Sequence, residues 1–107
     1  MIASAKASMH EGIKSYENRY VGSTNDLVSE NNINKAIGLF LNELIKPQNE
    51  KDAALYLLKA YYYKGEFATK DEQKKKLIFN KGKALGEKYI KKFPNSPEFR
   101  YWYLVNL

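Results

Sequence analysis

The residues best able to carry chemistry are few, because the chain has one histidine, His10, and no cysteine. Catalysis and metal binding each need several converging groups, and no acidic pair stands at a useful spacing beside His10. Glu50 with Asp52, and Asp71 with Glu72, lie at predicted helix starts, where carboxylates stabilise the first turn. We therefore predict no catalytic residue, no metal site, no cofactor and no enzymatic activity.

Charge is the second chemical feature of the chain. It has 18 Lys and Arg against 12 Asp and Glu, and its formal net charge is +6. Residues 1–53 contain 6 cations and 7 anions, whereas residues 54–107 contain 12 and 5. An excess confined to the C-terminal half favours an anionic partner such as nucleic acid, an acidic peptide or a lipid surface. It is equally typical of a surface charged for solubility.

Two aromatic clusters form the third feature. The run Tyr61-Tyr62-Tyr63 cannot lie wholly in a core, because successive residues of a helix are rotated by about 100°. At least one ring is therefore expected to point outward, where it either contacts a partner or is covered by a neighbouring helix or loop. The run Tyr-Trp-Tyr at 101–103 leaves the same two alternatives open.

The spacing of apolar residues predicts that helices carry all of these groups. Intervals of three and four dominate, and no segment has the alternating pattern of a strand. No run reaches the roughly 20 apolar residues of a membrane-spanning helix, so we expect a soluble protein without membrane insertion. Its compartment stays open between the cytoplasm and, after removal of a signal, the periplasm. We expect five helices, over about 3–20, 33–45, 50–64, 69–93 and 97–107, with a loop over 21–32.

Capping residues and glycines refine these helices. The run Thr69-Lys70-Asp71-Glu72 has the capping-box pattern, which predicts that Thr69 is the N-cap of the fourth helix. Ser96 followed by Pro97 is typical of the start of another helix. A glycine inside a helix destabilises it by about 1 kcal/mol relative to alanine, so we expect close helix contacts as compensation. The glycines concerned are Gly12, Gly38, Gly82 and Gly86.

A resemblance to the tetratricopeptide repeat begins at residues 53–67, which read Ala-Ala-Leu-Tyr-Leu-Leu-Lys-Ala-Tyr-Tyr-Tyr-Lys-Gly-Glu-Phe. Residues 36–47 and 82–94 resemble the second helices of such repeats, and each ends at a proline. About a dozen residues more than the 34-residue repeat allows separate the first helix from the later second helix, so the repeats are degenerate. The first-helix positions that match are Leu57, Tyr61, Gly65 and Phe67, whereas Ala54 replaces the family's tryptophan and Leu58 its small residue.

The resemblance implies an all-helical fold of antiparallel hairpins stacked in a short right-handed solenoid. The chain would form a single domain over 1–107 or belong to a longer repeat protein, and it is similar to divergent repeat proteins of bacterial envelopes and transporter accessory components. First helices of the family line a groove that binds partners. The residues that would face this groove are Leu55, Lys59, Tyr62 and Tyr63, joined by Arg100 on the fifth helix. The family's carboxylate clamp is matched only at Lys59 and Arg100, without its asparagines.

These features favour a non-catalytic interaction or scaffold module that binds a protein or peptide, including an acidic one, in a tyrosine-lined basic groove. One alternative is self-association as a homodimer through Tyr101, Trp102 and Tyr103. The other alternative is nucleic-acid binding through the fourth helix, which would depend strongly on salt. Its cations are Lys70, Lys74, Lys75, Lys76, Lys81, Lys83, Lys88, Lys91 and Lys92.

Overall fold

The computed structural model describes residues 2–24 and 28–107, and every regular element in them is a helix. The prediction of an all-helical fold with five packed helices is therefore confirmed. A π-helical segment, Lys64–Ala68, directly continues the third helix and was not predicted. The α-helices are α1 (Ile2–Glu17), α2 (Asn31–Leu44), α3 (Glu50–Tyr63), α4 (Glu72–Lys92) and α5 (Pro97–Val105).

Helix α3 lies at the centre of the fold. Each helix packs against the next one along the chain, and α3 also contacts both α1 and α5. Its apolar residues contribute to two groups of buried side chains. One group contains Met9, Ala36, Phe40, Ala53 and Leu57, and the other contains Ala54, Leu58, Tyr89 and Phe99. Leu44 and Leu85 pack against both groups and so join them into one interior.

Helix α1 ends earlier than the apolar spacing predicts. The side-chain amide of Asn18 donates to the carbonyl of Lys14 at 3.0 Å, and the chain then leaves the helix through turns that end at Gly22. Gly22 has φ +91, a conformation that a side chain disfavours. Tyr20 therefore lies beyond the helix and is 62% exposed, so the prediction that the first helix reaches residue 20 is wrong.

The predicted N-cap of α4 at Thr69 is also wrong. Asp71 is the N-cap, and its carboxylate accepts a hydrogen bond from the Gln73 amide at 3.4 Å. Thr69 instead follows the π-helical segment in extended backbone and is buried. The π-helical segment continues the helix to Ala68, so Thr69 lies in the connection before α4. A Cβ on Gly65 would lie 2.8 Å from the Phe79 ring, so the missing side chain lets α4 pack against the continued helix.

Glycines in α4 do permit the expected close packing. A Cβ on Gly86 would lie 2.8 Å from Cδ1 of Tyr103, and one on Gly82 would overlap the side chain of Asn106, so α5 rests directly on this stripe. Gly12 likewise makes room for the ring of Phe40. The same expectation is wrong for Gly38, which is exposed and would have no atom within 4 Å of an added Cβ.

Candidate binding surface

A continuous series of aromatic rings and cations crosses α1, α3 and α5, and we call it the aromatic–cation row. It begins just after α1, where the Arg19 guanidinium carbon lies 4.4 Å from the centre of the Tyr16 ring. The Tyr16 ring meets the Tyr56 ring of α3 edge-on, with centroids 5.9 Å apart. Lys59 Nζ then lies 4.7 Å from the Tyr56 ring and 5.8 Å from the Trp102 ring of α5.

The α-helical repeat of α3 places its part of the row. Tyr56, Lys59 and Tyr63 are spaced three and four residues apart, so they share one strip of the helix surface beside the buried residues. Tyr56 is fixed from below by the buried Phe40, whose ring stacks on it at 5.2 Å with an interplanar angle of 25°. The row therefore stands on the hydrophobic interior, and its rings have restricted freedom to move.

The cations of the row have no counter-ion among the residues that the structure describes. Among the described residues, the ion pairs are Lys46 with Glu43 and Lys92 with Glu50, so neither Arg19 nor Lys59 is paired with a carboxylate. A cation over an aromatic face is attracted by the ring quadrupole, but its charge is not neutralised. The row is thus both apolar and positively charged.

The hydroxyl groups of the row are also available to a partner. Tyr16, Tyr56 and Tyr63 are half-buried, and their hydroxyls make no hydrogen bond to any residue that the structure describes. Burial raises the pKa of Tyr16 above its ordinary value of 10.0, although the nearby Arg19 opposes this shift. Tyr16 consequently stays protonated at neutral pH and can donate to an acceptor.

Two of the predicted groove residues, Lys59 and Tyr63, take part in this arrangement. Lys59 bridges the α3 and α5 ends of the row through its two ring contacts. The Tyr63 ring lies 5.0 Å from the Arg19 guanidinium carbon and 5.5 Å from the Phe67 ring. Two of the five predicted groove residues, Lys59 and Tyr63, therefore belong to the row.

The other predicted groove residues have different surroundings. Tyr62 packs among three rings, those of Phe67, Phe79 and Trp102, with centroids 6.2, 6.5 and 6.0 Å away, so neighbouring elements cover much of it. Leu55 is half-buried against the second core group. Arg100 is exposed, and its Nη2 donates to the Pro94 carbonyl at 2.9 Å, beside the start of α5 and without a ring contact to the row.

The three aromatic residues of α5 at 101–103 have different surroundings. Trp102 belongs to the row, and Tyr103 packs on Gly86 while its hydroxyl donates to Glu87 at 3.3 Å. Tyr101 is 59% exposed and meets the Trp102 ring edge-on at 5.2 Å. Of the three residues suggested for a homodimer contact, only Tyr101 points mainly to solvent.

The lysines of α4 form a separate basic surface. Most of them are exposed and lie around the whole solvent side of the helix rather than on one stripe. Lys92 is engaged by Glu50 at 2.7 Å, and Lys88 Nζ lies 5.5 Å from the Tyr89 ring. An open cleft of about 300 Å³ is bordered by Lys64, Lys74 and Lys81.

Larger clefts lie away from the row, and the sequence predicted neither of them. One, of about 680 Å³, lies between residues 28–31 and 67–71, and another, of about 670 Å³, lies beside Phe79 and Asn106. Both are shallow and open. His10 is exposed, and within residues 2–24 and 28–107 no group of three or more His, Asp or Glu could hold a metal ion.

Sequence reasoning missed Arg19 and Tyr16, which form one end of the row. Their three-residue spacing is the only local signal, because contacts with Tyr56 and Tyr63 depend on how α1 packs against α3. A second signal in the sequence is that Arg19 is one of only two arginines. Arginine is the cation best suited to stacking on rings while binding an anion through its edge.

Comparison with protein-family models, curated proteins and solved structures gave no match. Within the part of the chain that the structure describes, no helix is long and apolar enough to cross a bilayer. Function must therefore be inferred from the chain's own side chains, and the aromatic–cation row is the surface with the most specific chemistry.

Proposed function

We propose that this protein is a non-catalytic interaction module of the tetratricopeptide-repeat kind, which binds a peptide or helix across α1, α3 and α5. The single observation that carries the proposal is the aromatic–cation row, whose cations lack carboxylate partners in the described structure. Its rings supply apolar contact area at low conformational cost, and its cations and hydroxyls supply donors. Such a surface is complementary to an acidic segment that also carries apolar side chains.

The position of the row also supports binding of an extended or helical segment. The row runs over three helices, from Arg19 through Tyr56 and Lys59 to Trp102. A ligand that touches all three helices gains several weak contacts at once, and the row is already held in place by the core. Preorganisation of this kind reduces the entropy lost on binding.

The test is affinity capture of partners from lysate by the immobilised protein, with and without nuclease, followed by mass spectrometry. Lys59→Gln removes the central cation of the row and should reduce the recovered partner. Lys51→Gln is the matched control, because Lys51 is an exposed lysine of the same helix and its Nζ lies 5.4 Å from a ring outside the row, that of Phe93. Equal recovery of the partner with both variants would show that this surface does not bind it.

Nucleic-acid binding through α4 is the second candidate function. It is favoured by the exposed lysines of α4 and by the cleft where Lys64 of the π-helical segment joins Lys74 and Lys81. Counterion release from bound phosphates would make this binding fall steeply with salt. Captured material that disappears after nuclease treatment, and whose capture falls in Lys74→Gln with Lys81→Gln, would favour this candidate over the peptide surface.

Self-association is a third candidate, and the exposed apolar residues of α5 favour it. Tyr101 is 59% exposed and Leu104 is 63% exposed, and their three-residue spacing places them on one side of the helix. Light scattering over a range of protein concentrations tests this candidate. A mass that stays at one chain at the highest concentration excludes it.

A further inference from the structure

Arg19 lies at the meeting point of two tyrosine rings that come from different parts of the fold. Its guanidinium carbon is 4.4 Å from the Tyr16 ring centre and 5.0 Å from the Tyr63 ring centre. Contact with the two rings restricts the guanidinium, which leaves its unbonded N–H groups as the route to another group. The rings also exclude water from part of the cation, so its charge is less screened than that of an exposed arginine.

The nitrogen atoms of Arg19 are unequally used. Nη1 donates to the backbone carbonyl of Tyr16 at 3.1 Å, and the same carbonyl accepts from the Arg19 amide at 3.1 Å. Nε is buried and has no hydrogen-bond partner. Nη2 makes no hydrogen bond to a described residue. It is not buried, so it is open to solvent. The hydrogen bond from Nη1 anchors the side chain, whereas the N–H groups of Nε and Nη2 have no acceptor among the described residues.

The surrounding hydroxyls add donors of the same kind. The Tyr16 ring meets the Tyr56 ring, and the rings of Tyr16 and Tyr63 both contact the Arg19 guanidinium. None of the three phenol hydroxyls has an acceptor among the described residues, and no described carboxylate pairs with Arg19. The cluster contains several donors and one cation, and no described residue supplies it with an anionic acceptor. An oxyanion satisfies all of these groups together.

We propose that Arg19, with the hydroxyls of Tyr16 and Tyr63, forms a receptor for one oxyanion, a carboxylate or a phosphate, carried by the peptide that occupies the aromatic–cation row. This proposal rests on the proposed function and names the chemical group that the partner must present at the α1 end of the row. Arg19 supplies charge and one free N–H edge, and the tyrosines supply neutral donors on its sides. The apolar part of the partner would continue over Tyr56 towards Lys59 and Trp102.

Anion binding at Arg19 can be followed directly by NMR, because Arg19 and Arg100 are the only arginines in the sequence. In ¹⁵N-labelled protein, the Nε–Hε NMR signals of the two can be assigned by the variants Arg19→Gln and Arg100→Gln. The probes are capped glutamate for carboxylate, capped phosphoserine for phosphate and capped glutamine as the neutral control, all at one ionic strength. Arg100 is the internal control because it is exposed and uses Nη2 to donate to the Pro94 carbonyl.

The expected result is a saturable shift of the Arg19 signal with at least one anionic probe, no such shift with capped glutamine, and little change at Arg100. Tighter binding of capped glutamate identifies an acidic side chain as the source of the oxyanion, and tighter binding of capped phosphoserine identifies a phosphorylated one. Arg19→Gln should weaken binding by about tenfold or more, as followed by amide signals near Tyr16, because a charge-assisted hydrogen bond is lost. Tyr63→Phe, which keeps the ring, should weaken it by roughly twofold to fivefold.

A control variant separates the hydroxyl effect from a general tyrosine effect. Tyr20→Phe alters an exposed tyrosine that has no ring contact to Arg19, and it should leave probe affinity unchanged. Equal shifts at Arg19 and Arg100, or unchanged affinity in Arg19→Gln, would overturn the receptor. If Lys59→Gln still abolishes partner capture in that case, the interaction surface stands and only the anion site fails.

Discussion

Two clusters in this protein each combine tyrosine with a cation, but they differ in whether a carboxylate joins them. In the first, which we call the closed cluster, the Tyr89 hydroxyl donates to Glu50 at 2.8 Å, and Lys92 Nζ lies 2.7 Å from the same carboxylate. In the second, the open cluster, Arg19 contacts the rings of Tyr16 and Tyr63 without any described carboxylate. Both clusters join tyrosine to a cation, and among the described residues only the closed cluster holds its own anion.

The carboxylate that distinguishes the closed cluster indicates that the two clusters have different roles. Glu50 is the first residue of α3, and Tyr89 and Lys92 lie in the last turn of α4, so the carboxylate of the closed cluster ties two helix ends together. Burial and the Glu50 carboxylate raise the pKa of Tyr89 well above 10.0, which keeps its hydroxyl a donor. The closed cluster uses its donors to stabilise the fold. The open cluster keeps its donors for an acceptor that comes from outside.

The largest expected difference between the clusters is in core packing. Tyr89 is fully buried, and its ring stacks on those of Phe93 and Phe99 at 6.1 and 5.7 Å. Tyr89→Ala should therefore lower the free energy of unfolding by about 3–5 kcal/mol. Tyr63→Ala, at a half-buried ring of the open cluster, should cost about 1–2 kcal/mol. Urea unfolding followed by circular dichroism measures both, and equal losses would contradict the distinction.

Removal of single hydroxyl groups sharpens the comparison. Tyr89→Phe keeps the buried ring but deletes the donor to Glu50, so it should destabilise the fold by about 1 kcal/mol. Tyr63→Phe deletes a hydroxyl that has no described acceptor, and stability should change by less than about 0.5 kcal/mol. The same unfolding measurement applies. A larger loss for Tyr63→Phe than for Tyr89→Phe would show that the open cluster has an internal acceptor.

The closed cluster should also make stability depend on acid pH. The hydrogen bonds from Lys92 and then from Tyr89 lower the pKa of Glu50 below its ordinary value of 4.5, although partial desolvation opposes them. A lowered folded-state pKa gives a contribution that is present above about pH 4.5 and is lost as the pH falls through the folded pKa. Glu50→Gln should therefore lose stability at pH 7 relative to wild type and much less at pH 3. A pH-independent difference between the two proteins would contradict this role for Glu50.

A small net change in stability is expected at Arg19 itself. Its ring contacts stabilise the fold, whereas its buried Nε, which has no hydrogen-bond partner, destabilises it. The two contributions to the free energy of unfolding therefore oppose each other. Arg19→Met keeps apolar contact with the rings and removes the unpaired donor, so the free energy of unfolding should stay within about 1 kcal/mol of wild type. Thermal and urea unfolding check this expectation. A loss as large as that of Tyr89→Ala would show that Arg19 is retained for structure.

Local sequence signals were sufficient for most helices. Ile33, Ala36 and Phe40, which are spaced three and four residues apart, are buried on one face of α2, and Pro47 follows the end of α2 closely. The Ser96-Pro97 start of α5 and the packing of α5 on Gly82 and Gly86 also agree with the structure. Each of these features depends on neighbours within a few residues or on a helix that packs directly next in the chain.

Other features could not be predicted because they depend on tertiary contacts. The π-helical segment exists where Gly65 meets the Phe79 ring, and it displaces the start of α4 from Thr69 to Asp71. Glu43 lies in the apolar stripe of α2 yet is 2% exposed, because Lys46 and Asn49 both donate to it.

The candidate site was predictable only in part, for the same reason. The resemblance to the repeat's first helix, and not helical spacing, assigned Lys59 and Tyr62 to a groove. Arg19 could not be assigned to Tyr63, because that contact requires the chain after α1 to lie against the end of α3. For Tyr62, the sequence did not indicate that the rings of Phe67 and Phe79 would cover it.

The most direct test of the central claim compares two double variants of equal net charge in partner capture. Arg19→Gln with Lys59→Gln removes both cations of the aromatic–cation row, and Lys51→Gln with Lys92→Gln removes two cations beside Phe93 and Glu50. If the row binds the partner, the first pair loses it and the second retains it. If both pairs lose it equally, the partner responds only to net charge, and the account of a specific surface on α1, α3 and α5 is wrong.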